Sequence, residues 1–156
     1  MTGRKQDKAF ELEGFIPFRL NQAAERVSLD FAKLYRKAYG MTRPQWRTLA
    51  NLGQHGRLTA RQICDLSMQH KTKVSRAVAA LEKRGWLKRE SDENDRRVEH
   101  LELTRAGRAI HAELAPFARE YENAVIAEMG MEDWQALERG LTRLEICLRL
   151  RGDAAG

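Results

Sequence analysis

The chain has 156 residues, of which 42% are apolar and 7% aromatic. That suits one domain of ordinary size, rich in helix formers, with a core of Leu, Ala and Val. The formal charge of +6 is compatible with a polyanionic partner, either nucleic acid or an anionic membrane surface. Cys64 and Cys147 are far apart without CxxC spacing, so there is no sign of a disulfide framework or zinc site.

Residues 1–12 read as a flexible tail, and Met1 to Lys8 lacks the apolar centre of a signal peptide. No run reaches the ~18 apolar residues of a membrane span. The expectation is a soluble cytoplasmic protein.

From Ile16 the apolar positions Leu20, Ala23, Val27, Phe31 and Leu34 recur at spacings of three and four. That predicts a helix with one buried stripe, ending near Gly40. Thr42-Arg43-Pro44-Gln45 is a capping-box start for a second helix, with Trp46, Leu49 and Leu52 inward. Thr59-Ala60-Arg61-Gln62 repeats the signal for a short third helix with Ile63 and Leu66 inward. Ser67-Met68-Gln69 is a tight connection into a fourth helix from about His70 to Arg84, whose apolar stripe is Val74, Val78 and Leu81.

The period then changes from about 3.6 to 2. Residues 86–90 and 98–103 read as two strands of a hairpin with the charged tip 92–96. Thr104 caps a long helix that contains Pro116, where a bend is expected, and Gly130 ends it. The last helix, from about Glu132 to Leu150, carries Trp134, Leu137, Leu141, Leu144 and Leu148 at coiled-coil spacing.

A short capped helix, a tight turn, a second helix and a charged hairpin follow one another within about 45 residues. In a helix-turn-helix the second helix lies in the major groove. Here that helix carries His70, Lys71, Lys73, Ser75 and Arg76, with no acid before Glu82. Lys and Arg donate to guanine, and Ser addresses either base type. A solvated surface helix would interleave charge signs at i,i+4. Arg96 and Arg97 sit at the hairpin tip beside Asp95, where an arginine can enter the negative minor groove. These residues form the candidate DNA-binding site.

Leu81-Glu82-Lys83-Arg84-Gly85-Trp86-Leu87, then Asp92-Glu93-Asn94-Asp95-Arg96-Arg97, then Leu101-Glu102-Leu103-Thr104-Arg105-Ala106-Gly107 resembles the signature stretch of the MarR family of regulators. The resemblance spans the chain. It implies a mainly α fold with a small β-hairpin wing: a winged helix-turn-helix of six helices in an intertwined homodimer. By the same resemblance, Asp95 orients Arg97 and Arg97 reaches the minor groove of a pseudo-palindromic operator.

The expected organisation is one domain over 13–156, with a DNA-binding lobe at 42–103 and a dimerisation region at 13–40 plus 104–150. The stripes of Ile16, Leu20, Trp134, Leu137, Leu141, Leu144 and Leu148 have no obvious partner inside so small a lobe, which independently favours a dimer.

The resemblance also implies a small-molecule effector, an aromatic acid among the candidates, for which Phe18, Arg19, Trp46 and Arg47 supply aromatic surface and cations. Repression is the family's usual mode. Cys64 is expected to behave as a small apolar residue, and redox sensing is disfavoured. An enzyme is the weakest alternative. His55, His70, His100 and His111 lack metal spacing, and no phosphate loop, nucleophile elbow or carboxylate pair is present. No catalytic residue, metal or cofactor is therefore assigned. An architectural DNA-binding protein or a protein-binding adaptor on the same fold is the other alternative.

Overall fold

The computed structural model describes residues 10–153 other than position 96. Residues 1–9 of the expected tail, and Arg96 of the candidate site, therefore lie outside the described residues. A single 3-10 turn, Leu12–Gly14, precedes helix α1, Ile16–Tyr39. Then come α2 (Arg43–His55), β1 (Leu58–Thr59), α3 (Ala60–Ser67), α4 (Lys71–Lys83), β2 (Leu87–Ser91), β3 (Glu99–Leu103), α5 (Arg105–Met129) and α6 (Met131–Asp153). The chain divides into two compact units after His111. Thus α1 and the first turns of α5 belong with the winged unit.

Local chemistry sets these boundaries. Thr42 Oγ1 accepts from the Gln45 amide at 3.5 Å while Gln45 Oε1 accepts from the Thr42 amide at 3.1 Å. Thr59 and Gln62 do the same at 3.2 and 2.8 Å. Two reciprocal caps thereby satisfy amides that a helix start leaves open. Gly40 ends α1 with φ 61°, a conformation that a side chain disfavours. Between α3 and α4 the chain turns on Met68, at φ 52° the sole non-glycine with positive φ among the described residues.

The winged unit packs α2, α3 and α4 over the sheet. Leu49, Ile63, Val74 and Leu81 are fully buried, joined by Leu52, Val78, Leu87, Leu101 and Leu103. Each such side chain contributes roughly 1.5–3 kcal/mol by leaving water. The stripe expected on the fourth helix is the one buried. Leu66 is not inward as expected but 49% exposed, because the eight-residue α3 covers the core with Ile63 alone.

The sheet has three strands, in the order β1-β3-β2, all antiparallel. Leu87 pairs with Leu103, and Arg89 with Leu101, which fixes the wing register. The third strand was not anticipated: two residues, Leu58 and Thr59, pairing with Leu101 and His100, are too few to show a period.

In α1 the buried residues are Ala32 and Tyr35. The expected inward stripe is uncovered at Ile16, Val27 and Leu34. The α1–α2 packing involves the C-terminal half of α1, where Tyr35 stacks on Trp46 with centroids 5.6 Å apart and Phe31 meets Trp46 edge-on at 5.4 Å. In the second unit, α6 exposes Leu137, Leu141, Leu148 and Leu150. Among the described residues no helix is long and apolar enough to cross a membrane, and no cluster suits a metal ion.

Candidate nucleic-acid interface

The surface of α4 is divided by the helical period. Val74, Ala77, Val78 and Leu81 hold it to the core, while Lys71, Thr72, Lys73, Ser75 and Arg76 are exposed. His70 occupies the N-cap position and is also exposed; its carbonyl accepts from the amides of Lys73 and Val74 at 3.0 and 3.2 Å. Among the described residues the side chains of Lys71, Lys73 and Arg76 have no ion-pair or hydrogen-bond partner. The cations of the hairpin are treated oppositely. Lys88 contacts Glu90 and Glu102 at 2.6 and 3.2 Å, and Arg89 contacts Glu82 and Glu99 at 2.9 and 3.1 Å. These pairs raise the pKa of Lys88 through its bonds to Glu90 and Glu102. Positive charge is thus neutralised along the sheet and left open on the first turns of α4, where an anion would meet it.

The wing is closed by Asp92. Its Oδ1 accepts from the amides of Asn94 and Asp95 at 2.9 and 3.1 Å, and its Oδ2 lies 2.9 Å from His100 Nε2. The Asp92 amide donates to Val98 O at 2.8 Å. The His100 bond, then the two amides, hold the Asp92 carboxyl down at about 2. Val98 returns a bond to Asp95 O at 2.9 Å. Inside this loop Asp95 Oδ1 accepts from the Arg97 amide at 3.0 Å and lies 3.8 Å from Arg97 Nε. The Arg97 side chain is 95% exposed. Asp95 therefore bonds the Arg97 backbone, with the guanidinium at ion-pair distance, and the wing presents the cation outward.

The neck explains the glycine and threonine of the exit motif. Thr104 Oγ1 donates to Gly85 O at 2.6 Å and accepts from the Gly107 amide at 3.1 Å, while the Thr104 amide donates to Trp86 O at 3.1 Å. A Cβ at position 107 would lie 1.9 Å from Trp86 O, so only glycine lets α5 start there.

Sequence reasoning missed two contributors. Asp92 was read only as part of a polar turn, although an Asp at the head of a turn, before amides two and three residues on, is a recognisable Asx pattern. Arg84 ends α4, donates to Tyr39 O and Gly40 O at 2.6 and 3.1 Å, and sits 4.8 Å over the Trp86 ring. It ties the end of α4 to the last carbonyls of α1, and no local spacing announces that.

Of the residues considered for an effector, Arg47 lines a cavity with Arg43, His70 and Lys73, whereas Phe18, Arg19 and Trp46 are not among its lining residues. Phe18 is half-buried and Arg19 exposed. Trp46 faces the aromatic cluster with Phe31 and Tyr35. Of the residues considered for dimerisation, Leu20, Trp134 and Leu144 are half-buried, and Ile16, Leu137, Leu141 and Leu148 are exposed.

Residues 39–98, from the end of α1 to the loop before β3, match the MarR family profile. A probable transcriptional regulator from Pseudomonas aeruginosa is 31% identical, with 86% of this chain and 99% of that chain covered and a TM-score of 0.70. FabT of Streptococcus pneumoniae, solved in complex with DNA, is 26% identical over 86% of this chain and 95% of its own, with a TM-score of 0.69. NadR, solved in complex with 4-hydroxyphenylacetate, is 25% identical over 88% of this chain and 96% of its own, with a TM-score of 0.72.

Proposed function

The chain belongs to the MarR family of winged helix-turn-helix, DNA-binding transcriptional regulators, and we propose that it works as a homodimeric repressor. It holds a pseudo-palindromic operator until a small-molecule effector releases it. The observation that carries this reading is the exposed face of Lys71, Lys73, Ser75 and Arg76, on a helix that carries no acid of its own before Glu82. In this reading α4 enters the major groove and those side chains, with His70, address base edges and flanking phosphates. Arg97 follows the wing into the minor groove beside Arg96, with Asp95 setting its direction. The complex of the relative FabT with DNA supports the same partner for this chain.

The dimer reading rests on the apolar residues that α1 and α6 leave in water, Ile16, Leu137, Leu141 and Leu148, which a second copy would cover. A two-fold pair sets two recognition helices one DNA turn, about 34 Å, apart. A dimer seated over a promoter blocks transcription by occupancy. The effector reading is supported by the complex of NadR with 4-hydroxyphenylacetate, an aromatic acid, and by the cation Arg47 at a cavity beside α4.

Fluorescence anisotropy on DNA from upstream of the chain's own gene, across a salt series, tests the reading. The expected result is dimer-stoichiometric binding that survives excess competitor DNA, with log affinity falling by about 0.9 per log salt for each phosphate neutralised. Tight binding without sequence preference would mark an architectural protein, and no binding at physiological salt would mark an adaptor.

A further inference from the structure

Helix α1 leaves Ile16, Val27 and Leu34 in water, and its last turn meets the end of α4 through one side chain. Arg84 is the C-cap residue of α4. Its Nη1 donates to Tyr39 O at 2.6 Å and its Nη2 to Gly40 O at 3.1 Å. The last carbonyls of a helix need donors from outside it, and their partly negative field favours a cation. A planar guanidinium fork suits two adjacent carbonyls, which a lysine ammonium does not span in the same way. The guanidinium also lies 4.8 Å over the Trp86 ring, and Tyr39 meets that ring edge-on at 6.3 Å. Tyr39, Arg84 and Trp86 thus close a triangle.

The grip falls on the turn between α1 and α2. Residues 40–42 alone separate the two helices, and Gly40, at φ 61°, is the residue type whose torsions are least restricted. Elsewhere α1 is fastened by the exposed Arg43–Glu25 pair, a long 3.5 Å bond from Arg47 to Ser28 Oγ, and Trp46 against Phe31 and Tyr35. Those fastenings stop at α2. Arg84 reaches α1 from α4, and Trp86 carries the grip into the neck. There Trp86 O accepts the Thr104 amide at 3.1 Å and Thr104 Oγ1 donates to Gly85 O at 2.6 Å. The end of α1, the end of α4 and the start of the wing are therefore joined at one cation.

We propose that Arg84 is a positioning residue for DNA recognition: by bridging Tyr39 O and Gly40 O to the end of α4 it fixes the angle between α1 and α4, and through that angle the half-site separation that a dimer accepts. The second step rests on the DNA-binding dimer proposed above; the first does not. With a second copy on the apolar stripe of α1, each recognition helix is aimed from that seam through Arg84. Adding or removing one base pair moves a half-site by about 3.4 Å and turns it by roughly 35°. A rigidly aimed pair of helices rejects that change, and a loosely aimed pair follows it. Arg84 lies at the surface, where a substitution changes global stability little, so its signature is geometric.

Two measurements on the full chain test this. The first needs neither DNA nor a dimer. Spin labels at Arg26→Cys on α1 and Ala79→Cys on α4, both exposed positions, report the distance between the helices by pulsed electron resonance. The labelled chain carries Cys64→Ser and Cys147→Ser and is diluted with unlabelled protein, so that the distance read is within one chain. A single narrow distribution is expected with Arg84 in place and a clearly broader one in Arg84→Met, which keeps the stem and loses both bonds. Arg84→Lys, which reaches one carbonyl, falls between them. Equal widths in the three proteins overturn the proposal.

The second measurement is anisotropy on the upstream DNA, with one base pair inserted or removed at the centre of the footprinted site. Wild type is expected to lose roughly tenfold or more on either altered site, because the DNA must be deformed back into register. In Arg84→Met that loss shrinks to about threefold or less, since the helices then follow the half-sites. Lys83→Met, one residue earlier and also exposed, removes the same charge and keeps the wild-type ratio. Each loss is referred to the variant's own affinity on the unaltered site, so a partly unfolded variant, weakened on all three DNAs alike, leaves the ratio where it was. An undiminished spacing penalty in Arg84→Met overturns the half-site step. If wild type binds no upstream DNA, the regulator reading fails and the distance measurement still decides whether Arg84 sets the angle.

Discussion

His100 Nε2 on β3 lies 2.9 Å from Asp92 Oδ2, at the opposite foot of the wing, and the same carboxylate accepts two amides of the loop. One side chain therefore joins the strand to the turn that carries Arg97. The His100 bond, followed by the amides, lowers the Asp92 pKa from 3.8 to about 2. A carboxyl whose pKa is depressed in the folded state favours folding above its unfolded value, and that contribution is lost as pH falls through the folded value. The loss therefore falls between about pH 4 and pH 2. Wild type is expected to lose more thermal stability across that window than Asp92→Asn, which has no proton to take up. Melting temperature against pH for the two proteins checks this, and parallel curves would contradict it.

Asp95 sets the Arg97 backbone through a 3.0 Å bond while the guanidinium stands in solvent. Arg97→Ala should weaken binding to the upstream DNA by roughly 1–3 kcal/mol, most strongly on sites with a narrow A·T minor groove. Asp95→Asn should cost less, because an amide oxygen still accepts the 97 amide but carries no charge. The double substitution should cost little more than Arg97→Ala alone, since Asp95 acts through Arg97. Anisotropy on the four proteins gives the coupling, and strictly additive losses would show that Asp95 contacts DNA independently.

The parts of this architecture set by local chemistry were legible from the residues. Thr42 with Gln45, and Thr59 with Gln62, announce two helix starts because a capping box lies within four residues. Val74, Val78 and Leu81 announce the buried face of α4 by period alone. What stayed hidden depends on distant partners. Leu66 has the spacing of a core residue and is half in water, since nothing among the described residues covers that side of α3. Arg84 looks like any cation at a helix end until the carbonyls of Tyr39 and Gly40, 45 and 44 residues away, are brought beneath it. The cavity cations have the same character. Arg47 could be singled out as a charge near an aromatic, but its neighbours Lys73 and His70 arrive only through the packing of α4 on α2.

Gly107 and Gly53 both admit a close neighbour, with different expected costs. A Cβ at 107 would lie 1.9 Å from the carbonyl oxygen of Trp86, which is itself fixed by the Thr104 amide. Backbone cannot step aside there, so Gly107→Ala should destabilise by about 3 kcal/mol or more, roughly 6–12 °C in melting temperature for a chain of this size. At position 53 the nearest atom is in the ring of His111, 2.3 Å from the built Cβ. A half-buried ring turns more readily than a strand end moves. Gly53→Ala should therefore cost clearly less, and Gly53→Ala with His111→Ala less again. Thermal melts of the three variants test the ranking, and equal losses at 53 and 107 would refute it.

Leu141 and Leu148 stand 40% and 55% exposed on α6, two turns apart on one face, with Leu137 and Leu144 beside them. Large side chains in water over such a length favour association, at roughly 25 cal/mol for each Å2 of apolar surface covered. If a second copy covers this face, a charge placed in it must be buried without a partner. Leu141→Glu combined with Leu148→Glu is then expected to yield a monomer by light scattering, while the winged unit, whose core lies in Leu49, Ile63, Val74 and Leu81, keeps its own melting transition. DNA affinity should fall steeply because each monomer holds one half-site and loses the effective concentration that links the two. If the double variant remains a dimer, α6 is not the seam. The uncovered stripe of α1, beginning at Ile16 and Val27, would then be the face to substitute next.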